Sequence, residues 1–496
     1  MQTGVDRQAW TLLEQGRAAD ALRLTDPAAA LPGAPGPLLM AHAAALKALG
    51  RLEEAATANQ RAVKATPNDR LAWYNLAATL GDLARPDEAL TAIKRAMTLG
   101  LDAPEAWLVL GRVEQARHAY DRAEAALAAA IQRRPGFAAA HRDLAQLRWM
   151  RTGDLGQALT ALDAALTAGG VDGGLMVVKA LVMEFASEKA AALTALRAGL
   201  AARPGDVPML LSAAHLAAET GDAAGGRAFA AAALRQAPNH WPALSAMCEA
   251  LLAVGEAAEA VTLATRMRTL QPLDQSAIAL QSTAWRLLGD PRGDQLNDYD
   301  LARTYRLPTP AGWPSLDAYL AALKTRLLQM HDLKAHPLQQ SLRGGSQVES
   351  LQTSSDPLIR AFLVSARQVV ADYIRDIGPG TDPLRARSGG EFAVRGAWSV
   401  NLRSQGFHAD HVHPNGWISS AFYVDVPDAA LDETRREGWL RFGEPGCPTV
   451  PALVAGRHVQ PKPGLLALFP AYMWHGTVPF TSDATRLTLA FDIRPV

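Results

Sequence analysis

Residues 72–100 read AWYNLAATLGDLARPDEALTAIKRAMTLG. Alanine and leucine dominate, β-branched runs are scarce, and that composition favours helix. The small residues Ala77, Ala78, Ala89 and Ala92 would let two helices approach closely across a tight turn. Outward from this stretch the markers recur at a fixed step. Pro204, Pro238 and Pro272 are 34 residues apart (238 − 204, 272 − 238), and Gly221, Gly255 and Gly289 keep the same step. Pro67 and Pro135 lie two such steps apart, and Trp73 and Trp107 one. A period of this length marks a repeat architecture. Each unit reads as a helix, a turn at the glycine, a second helix and a proline-marked stop.

The pattern resembles tetratricopeptide repeats. AWLVLG (106–111) fits their W-x2-L-G opening, and AALAAAIQRRP (125–135) fits the closing helix and proline. The match is strong over 38–140 and 204–290. It blurs over 141–203, where TAGGVDGGLMVVKALVMEFASEKAAAL (167–193) loses the phase. The expectation is an all-α solenoid over residues 1–290, with seven or eight helix pairs stacked into a superhelix. Such a solenoid either supports the rest of the chain or binds a peptide or protein on its concave face, as these repeats commonly do. The inner alanines are packing residues first, so no binding residue is assigned there.

Composition sets the outer limits. A chain of 496 residues exceeds one core. Lys+Arg and Asp+Glu balance at 49 each, so no overall charge draws the chain to nucleic acid or to an acidic membrane. The N-terminal MQTGVDRQAW lacks a basic segment followed by an apolar run, and charged residues interrupt every apolar stretch. Cys248 and Cys447 have neither CxxC nor zinc-finger spacing. These features give a cytoplasmic protein as the expectation, with no membrane and no nucleic-acid partner.

Residues 291–390 read as a helical linker with support helices. Pro308, Pro310 and Pro314 break any continuous helix, and Ser315 caps LDAYLAALKTRLLQM. A second helix, opened by Asp356 and Pro357 and ended by Gly378, places Leu358, Phe362, Ala366, Val369, Val370 and Tyr373 on one face. That face is expected to cover a sheet.

From residue 391 to 496 the texture changes to short β-branched and aromatic runs: FAVRGAWSVNLR, WISSAFYVDV, WLRFGE, HVQPKPGLLALFP, WHGTVPF and RLTLAFDI. So many short strands imply an all-β double-stranded β-helix, or jelly roll, with a cavity at one end. Histidines cluster in FHADHVHP (407–414), and His475 follows in YMWHGTVP. In an extended strand residues i and i+2 share a side, so His411 and His413 can meet on one ion, as can His408 and Asp410. The two pairs differ in parity and exclude each other without a bulge. His475 would arrive from a distant strand, completing a facial set of three. A polar surface turn or a hydrogen-bonded core cluster is the plain alternative for such histidines. Trp417 and Trp474 read as core or pocket wall.

FHADHVHPNGWISSAFYVDVP, PKPGLLALFPAYMWHGTVPF and RLTLAFDI resemble the 2-oxoglutarate/Fe(II) oxygenases found behind tetratricopeptide repeats in bacteria and in phages. The upstream QSLRGGSQ fits the same group, so the resemblance spans roughly 336–496. It implies a dioxygenase that uses Fe(II), 2-oxoglutarate and O2. By position, His411 and His475 would be iron ligands, and Arg486 would bind the distal carboxylate of 2-oxoglutarate through its planar fork. The middle ligand is His413, where the match is tightest; the alternative set takes His408 and Asp410. If His413 is the ligand, Asp410 is expected to steady an imidazole. Tyr423 and Ser419 are the further candidates for holding 2-oxoglutarate, with Asn401 and Arg403 behind them. No catalytic residue is expected beyond the metal centre. The repeats suggest a protein or peptide side chain as the hydroxylated substrate. Two rival readings are a scaffold whose jelly roll has lost catalysis and a cupin-like metalloenzyme that does not use 2-oxoglutarate.

Overall fold

The structure, a computed structural model, describes residues 4–496. It divides into two compact units, Met1–Leu147 and Arg148–Val496. Among the described residues no helix is long and apolar enough to cross a membrane.

Seventeen helices run from α1 (Val5–Glu14) to α17 (Gln275–Leu287), and a six-residue α18 (Pro291–Leu296) follows. Consecutive helices pair, α1 with α2, α3 with α4, α5 with α6, α7 with α8, α11 with α12, α13 with α14 and α15 with α16, and α17 pairs with the stunted α18. The fold is the tetratricopeptide-type solenoid expected from the period. In the turn inside each pair one residue takes a positive φ: Gly16, Gly50, Ala84, His118, Gly153, Ser187, Gly221, Gly255 and Gly289. Every step is 34 residues except the 35 between His118 and Gly153 (153 − 118). The phase therefore persists through 141–203. It was hidden there by the one extra residue before Gly153 and by a turn that uses Ser187 where glycine is the easier occupant. Alanines fill the helix contacts: Ala77, Ala89 and Ala92 are buried in the core of the first unit.

The strand-rich part is built on a six-stranded antiparallel sheet in the order β1-β7-β4-β9-β3-β2. Its strands are β1 (Arg303–Arg306), β2 (Leu342–Val348), β3 (Phe392–His408), β4 (Ile418–Asp425), β7 (Leu465–Pro470) and β9 (Arg486–Pro495). A three-stranded sheet, β6 (Arg457–Val459), β5 (Leu440–Phe442) and β8 (His475–Thr477), completes the jelly roll. Both edge strands of the larger sheet fall within 291–390: β1 is unexpected there, whereas β2 overlaps the segment HPLQQSLRGGSQ (336–347), which reads as extended and polar. Each is short and interrupted by Arg or Gly, so hydrophobic alternation could not mark them.

The support helices α19 (Leu316–Met330) and α20 (Pro357–Ile377) form as expected. Ser315 Oγ accepts from Ala318 N–H, and Asp356 accepts from Leu358 and Ile359 N–H. The face of α20 carrying Phe362, Val369 and Tyr373 packs with Phe422, Phe491 and Leu489 in one apolar core. Strand β9 alternates cleanly. Leu487, Leu489, Phe491 and Ile493 enter that core, whereas Arg486, Thr488, Ala490 and Asp492 face a cavity on the opposite side. This alternation places the site.

Candidate metal centre

His411 lies just beyond β3 and is fixed by a two-bond antiparallel bridge to His475, the first residue of β8. His411 N–H donates to the His475 carbonyl (3.0 Å), and His475 N–H donates to the His411 carbonyl (3.1 Å). His413 is not on a strand; its N–H donates to the Ala471 carbonyl (3.0 Å). The convergence of His411 and His413 therefore rests on these backbone ties rather than on strand parity.

Each ring is oriented by its Nδ1. His411 Nδ1 lies 2.8 Å from the Ala409 carbonyl and His475 Nδ1 2.9 Å from the Met473 carbonyl. His413 Nδ1 lies 2.7 Å from Asp492 Oδ2. Carbonyl and carboxylate oxygens only accept, so each Nδ1 carries a proton and Nε2 is the nitrogen left to meet a metal. One ligand nitrogen from each of the three rings lies within 4.8 Å of the others, and His411 Nε2 and His413 Nε2 are 3.2 Å apart. Two lone pairs that close repel unless a cation or proton sits between them. Two imidazole nitrogens each about 2.1 Å from one metal, at a right angle, are about 3 Å apart. Burial lowers the pKa of His411 to about 3 and holds His475 well below 6.5, which keeps both rings neutral. The donor set fits a divalent metal with an open face.

The alternative pair does not join this set. Asp410 turns to Arg441, which donates through both Nε (3.1 Å) and Nη2. Burial pushes the Asp410 carboxyl up to about 6 even beside that guanidinium. The carboxylate expected to steady an imidazole is thus Asp492, not Asp410. His408 lines the cavity, with its Nδ1 2.9 Å from Ser341 Oγ and its ring centroid 6.1 Å from that of His411.

Arg486, 2% exposed, opens β9 inside the cavity. Its guanidinium lies over the Tyr423 ring, 5.0 Å from the centroid. Arg486 Nε and the Tyr423 hydroxyl are both buried without a hydrogen-bond partner among the described residues. Burial lowers the Arg486 pKa, and the group facing it is the Tyr423 phenol rather than a carboxylate. A buried guanidinium with no carboxylate partner, facing a cavity of about 770 Å³, is a receptor for a carboxylate.

The remaining candidates fall elsewhere. Ser419 Oγ donates to Asp492 Oδ1 (2.8 Å) and so supports His413 from behind. Neither Ser419 nor Tyr423 lines the cavity. Asn401 is buried with an unpartnered Oδ1, and Arg403 is spent on the carbonyls of Leu333 and Lys334. Trp417 is core, its Nε1 donating to the Leu384 carbonyl (2.8 Å). Asp492 and Arg441 were missed in the sequence. The signal for Asp492 was its even spacing from Arg486, a lone acid on the polar side of an apolar strand.

Residues 396–492 match the family model described as "Putative 2OG-Fe(II) oxygenase", and residues 110–172 match the tetratricopeptide-repeat model. Tetratricopeptide repeats thus precede a domain that matches the oxygenase family. Solved structures similar to this chain include tetratricopeptide-repeat proteins. A thermophilic repeat protein of Thermus thermophilus is 24% identical over 37% of this chain and 99% of its own, with a TM-score of 0.29. MamA 41-end of Desulfovibrio magneticus RS-1 is 19% identical over 33% and 92%, with a TM-score of 0.29. A repeat protein of Parabacteroides merdae is 13% identical over 49% and 96%, with a TM-score of 0.35. No curated protein matches the chain. The match to the oxygenase-family domain begins at Gly396 and ends at Asp492, so it encloses all three histidines, Arg486 and the carboxylate behind His413.

Proposed function

We propose that the chain is an Fe(II)- and 2-oxoglutarate-dependent dioxygenase that hydroxylates a side chain of a protein or peptide bound through the repeats. One observation carries the reading: three converging histidine nitrogens and a buried arginine with no carboxylate partner share one cavity. His411, His413 and His475 would hold the iron, and Arg486 would bind the distal carboxylate of 2-oxoglutarate. When bound, these groups supply oxidative decarboxylation of 2-oxoglutarate by O2, coupled to transfer of one oxygen atom to the substrate.

The chain's own residues prepare the site. Asp492 fixes the His413 tautomer and neutralises part of the metal charge that three neutral imidazoles leave. Tyr423 presents its ring face to the Arg486 guanidinium and keeps it aimed into the cavity. Trp398 stacks on the His413 ring at 5.8 Å and, with Phe469, walls the site against water. The cavity lining includes Gln339, Gln340, Gln347 and Asn415, side-chain amides that suit a peptide backbone.

The test is anaerobic titration with Fe(II) and then 2-oxoglutarate, followed by succinate release on admitting air. A 2-oxoglutarate-dependent absorbance band that Arg486→Ala weakens is expected. Metal uptake with no response to 2-oxoglutarate would favour a metalloenzyme of the cupin kind.

A further inference from the structure

A solenoid must cover the outer face of its last repeat, ordinarily with a polar capping helix. Here α18 is too short to do so, yet α17 is buried along nearly its whole length, from Gln275 to Trp285. The cover comes from loops of the oxygenase-family domain. Trp474 and Cys447 pack against the cluster formed by Leu244, Cys248, Leu252 and Leu280 of the last repeats.

These loops are the ones that carry the metal ligands. At the start of α17, Gln275 N–H has no partner within the helix and donates to the Pro414 carbonyl (3.0 Å), one residue after His413. Two turns on, Thr283 Oγ1 accepts the Trp474 indole N–H (2.9 Å), one residue before His475. Arg286 Nη1 donates to the Gly443 carbonyl (2.7 Å), and Gly443 N–H returns to the Trp474 carbonyl (2.9 Å). Farther back, Val450 N–H donates to the Leu252 carbonyl (3.1 Å).

We infer that α17 is a positioning element of the metal centre, with Thr283 its decisive residue. The inference rests on reading His411, His413 and His475 as a metal site. Ligand nitrogens must hold within about 0.5 Å of productive geometry, and the tethers sit one residue from two of the three ligands. Thr283 is fully buried, and its hydroxyl is committed on both sides, donating to the Ala279 carbonyl (2.9 Å) and accepting from Trp474. A valine of the same shape would strand the indole N–H and free the strand that bears His475. The last repeat therefore belongs to the oxygenase site, and an event that strains α17 would be felt at the metal.

The test uses the full chain and Mn(II) as probe, titrated without oxygen well below the melting temperature. Thr283→Val is expected to weaken Mn(II) binding about tenfold, the lower range for loss of a ligand's outer support, and Thr283→Ser to restore it. Trp474→Phe removes the same bond from the other side, so it should match Thr283→Val, and the double variant should lose nothing more. Ser282→Ala is the control. It sits on the same helix and is buried, but bonds the Gly293 carbonyl away from the ligand loops, so it should lower the melting temperature and leave Mn(II) affinity unchanged. If Thr283→Val does not fold, Trp474→Phe carries the test alone. Mn(II) affinity within twofold of wild type in both variants would overturn the inference and leave the metal reading standing. A wild-type chain that takes up no Mn(II) would overturn both.

Discussion

Asp492→Asn alters the support beneath His413 while keeping its shape. In the native chain the carboxylate can only accept, so Nδ1 must donate across 2.7 Å and Nε2 is left free for the metal. The asparagine amide can face His413 in two ways. With its oxygen forward the tautomer survives, but a charge-assisted bond becomes a neutral one of about half the strength. With its nitrogen forward His413 must accept at Nδ1, the proton moves to Nε2, and the third ligand is lost. The first outcome sets the lower bound, about tenfold weaker metal binding or about 1.4 kcal/mol, and the second approaches a hundredfold. Ser419→Ala removes only the hydroxyl that steadies Asp492 Oδ1 from 2.8 Å. Loss of one such bond costs about 0.5–1.5 kcal/mol, a few-fold to about tenfold. Anaerobic calorimetry with Mn(II) on both variants reads this order directly. Asp492→Asn binding within twofold of wild type, or Ser419→Ala proving the worse of the two, would refute the role given to Asp492.

Arg486→Ala should raise the 2-oxoglutarate concentration needed for half-maximal succinate release by about 10- to 100-fold, the worth of a hydrogen bond to a charged group, with Mn(II) affinity unchanged. Phe362→Ala, which removes a ring packed 4.8 Å from Phe422 and 5.9 Å from Phe491, should cost about 3–5 kcal/mol in urea unfolding. His331 bridges Ser346 and Ser399, and burial lowers its pKa to about 4 against 6.5 in the unfolded chain. The unfolded state therefore takes the proton first, and this contribution to stability is lost as pH falls from 6.5 to 4, by at most about 3 kcal/mol. Unfolding midpoints across that window should slope less in His331→Asn. A chain beginning at Arg148 should remain folded, whereas one beginning at 291 loses α15 (Trp241–Ala253), α16 (Ala257–Leu270) and α17 and should precipitate or fail to melt cooperatively.

What the sequence disclosed followed from periodicity. Thirty-four-residue spacing exposed the repeats because glycine and proline recur where the backbone demands them, and it faded where one extra residue precedes Gly153 and Ser187 takes the turn without the marker. The three histidines were legible because metal ligands need particular side chains at close spacing. Their supports were not. Asp492 reaches His413 across 79 residues (492 − 413) through strand pairing that no local pattern announces. Ser419, a candidate for holding 2-oxoglutarate by its sequence, has its hydroxyl committed to Asp492 and lies outside the cavity. Strand β1 escaped because an edge strand can be short and polar, the same qualities that discourage pairing with other chains.

That placement of β1 has a cost in time. Arg303 pairs with Leu468, 165 residues later (468 − 303). At synthesis rates of about 5–20 residues per second, β1 leaves the ribosome roughly 8–33 s before its partner exists. Through that wait its backbone donors and acceptors stand open, guarded by Arg303 at one end and Arg306 at the other. The two charges that make this strand hard to see in a sequence keep a nascent chain from pairing it with a stranger.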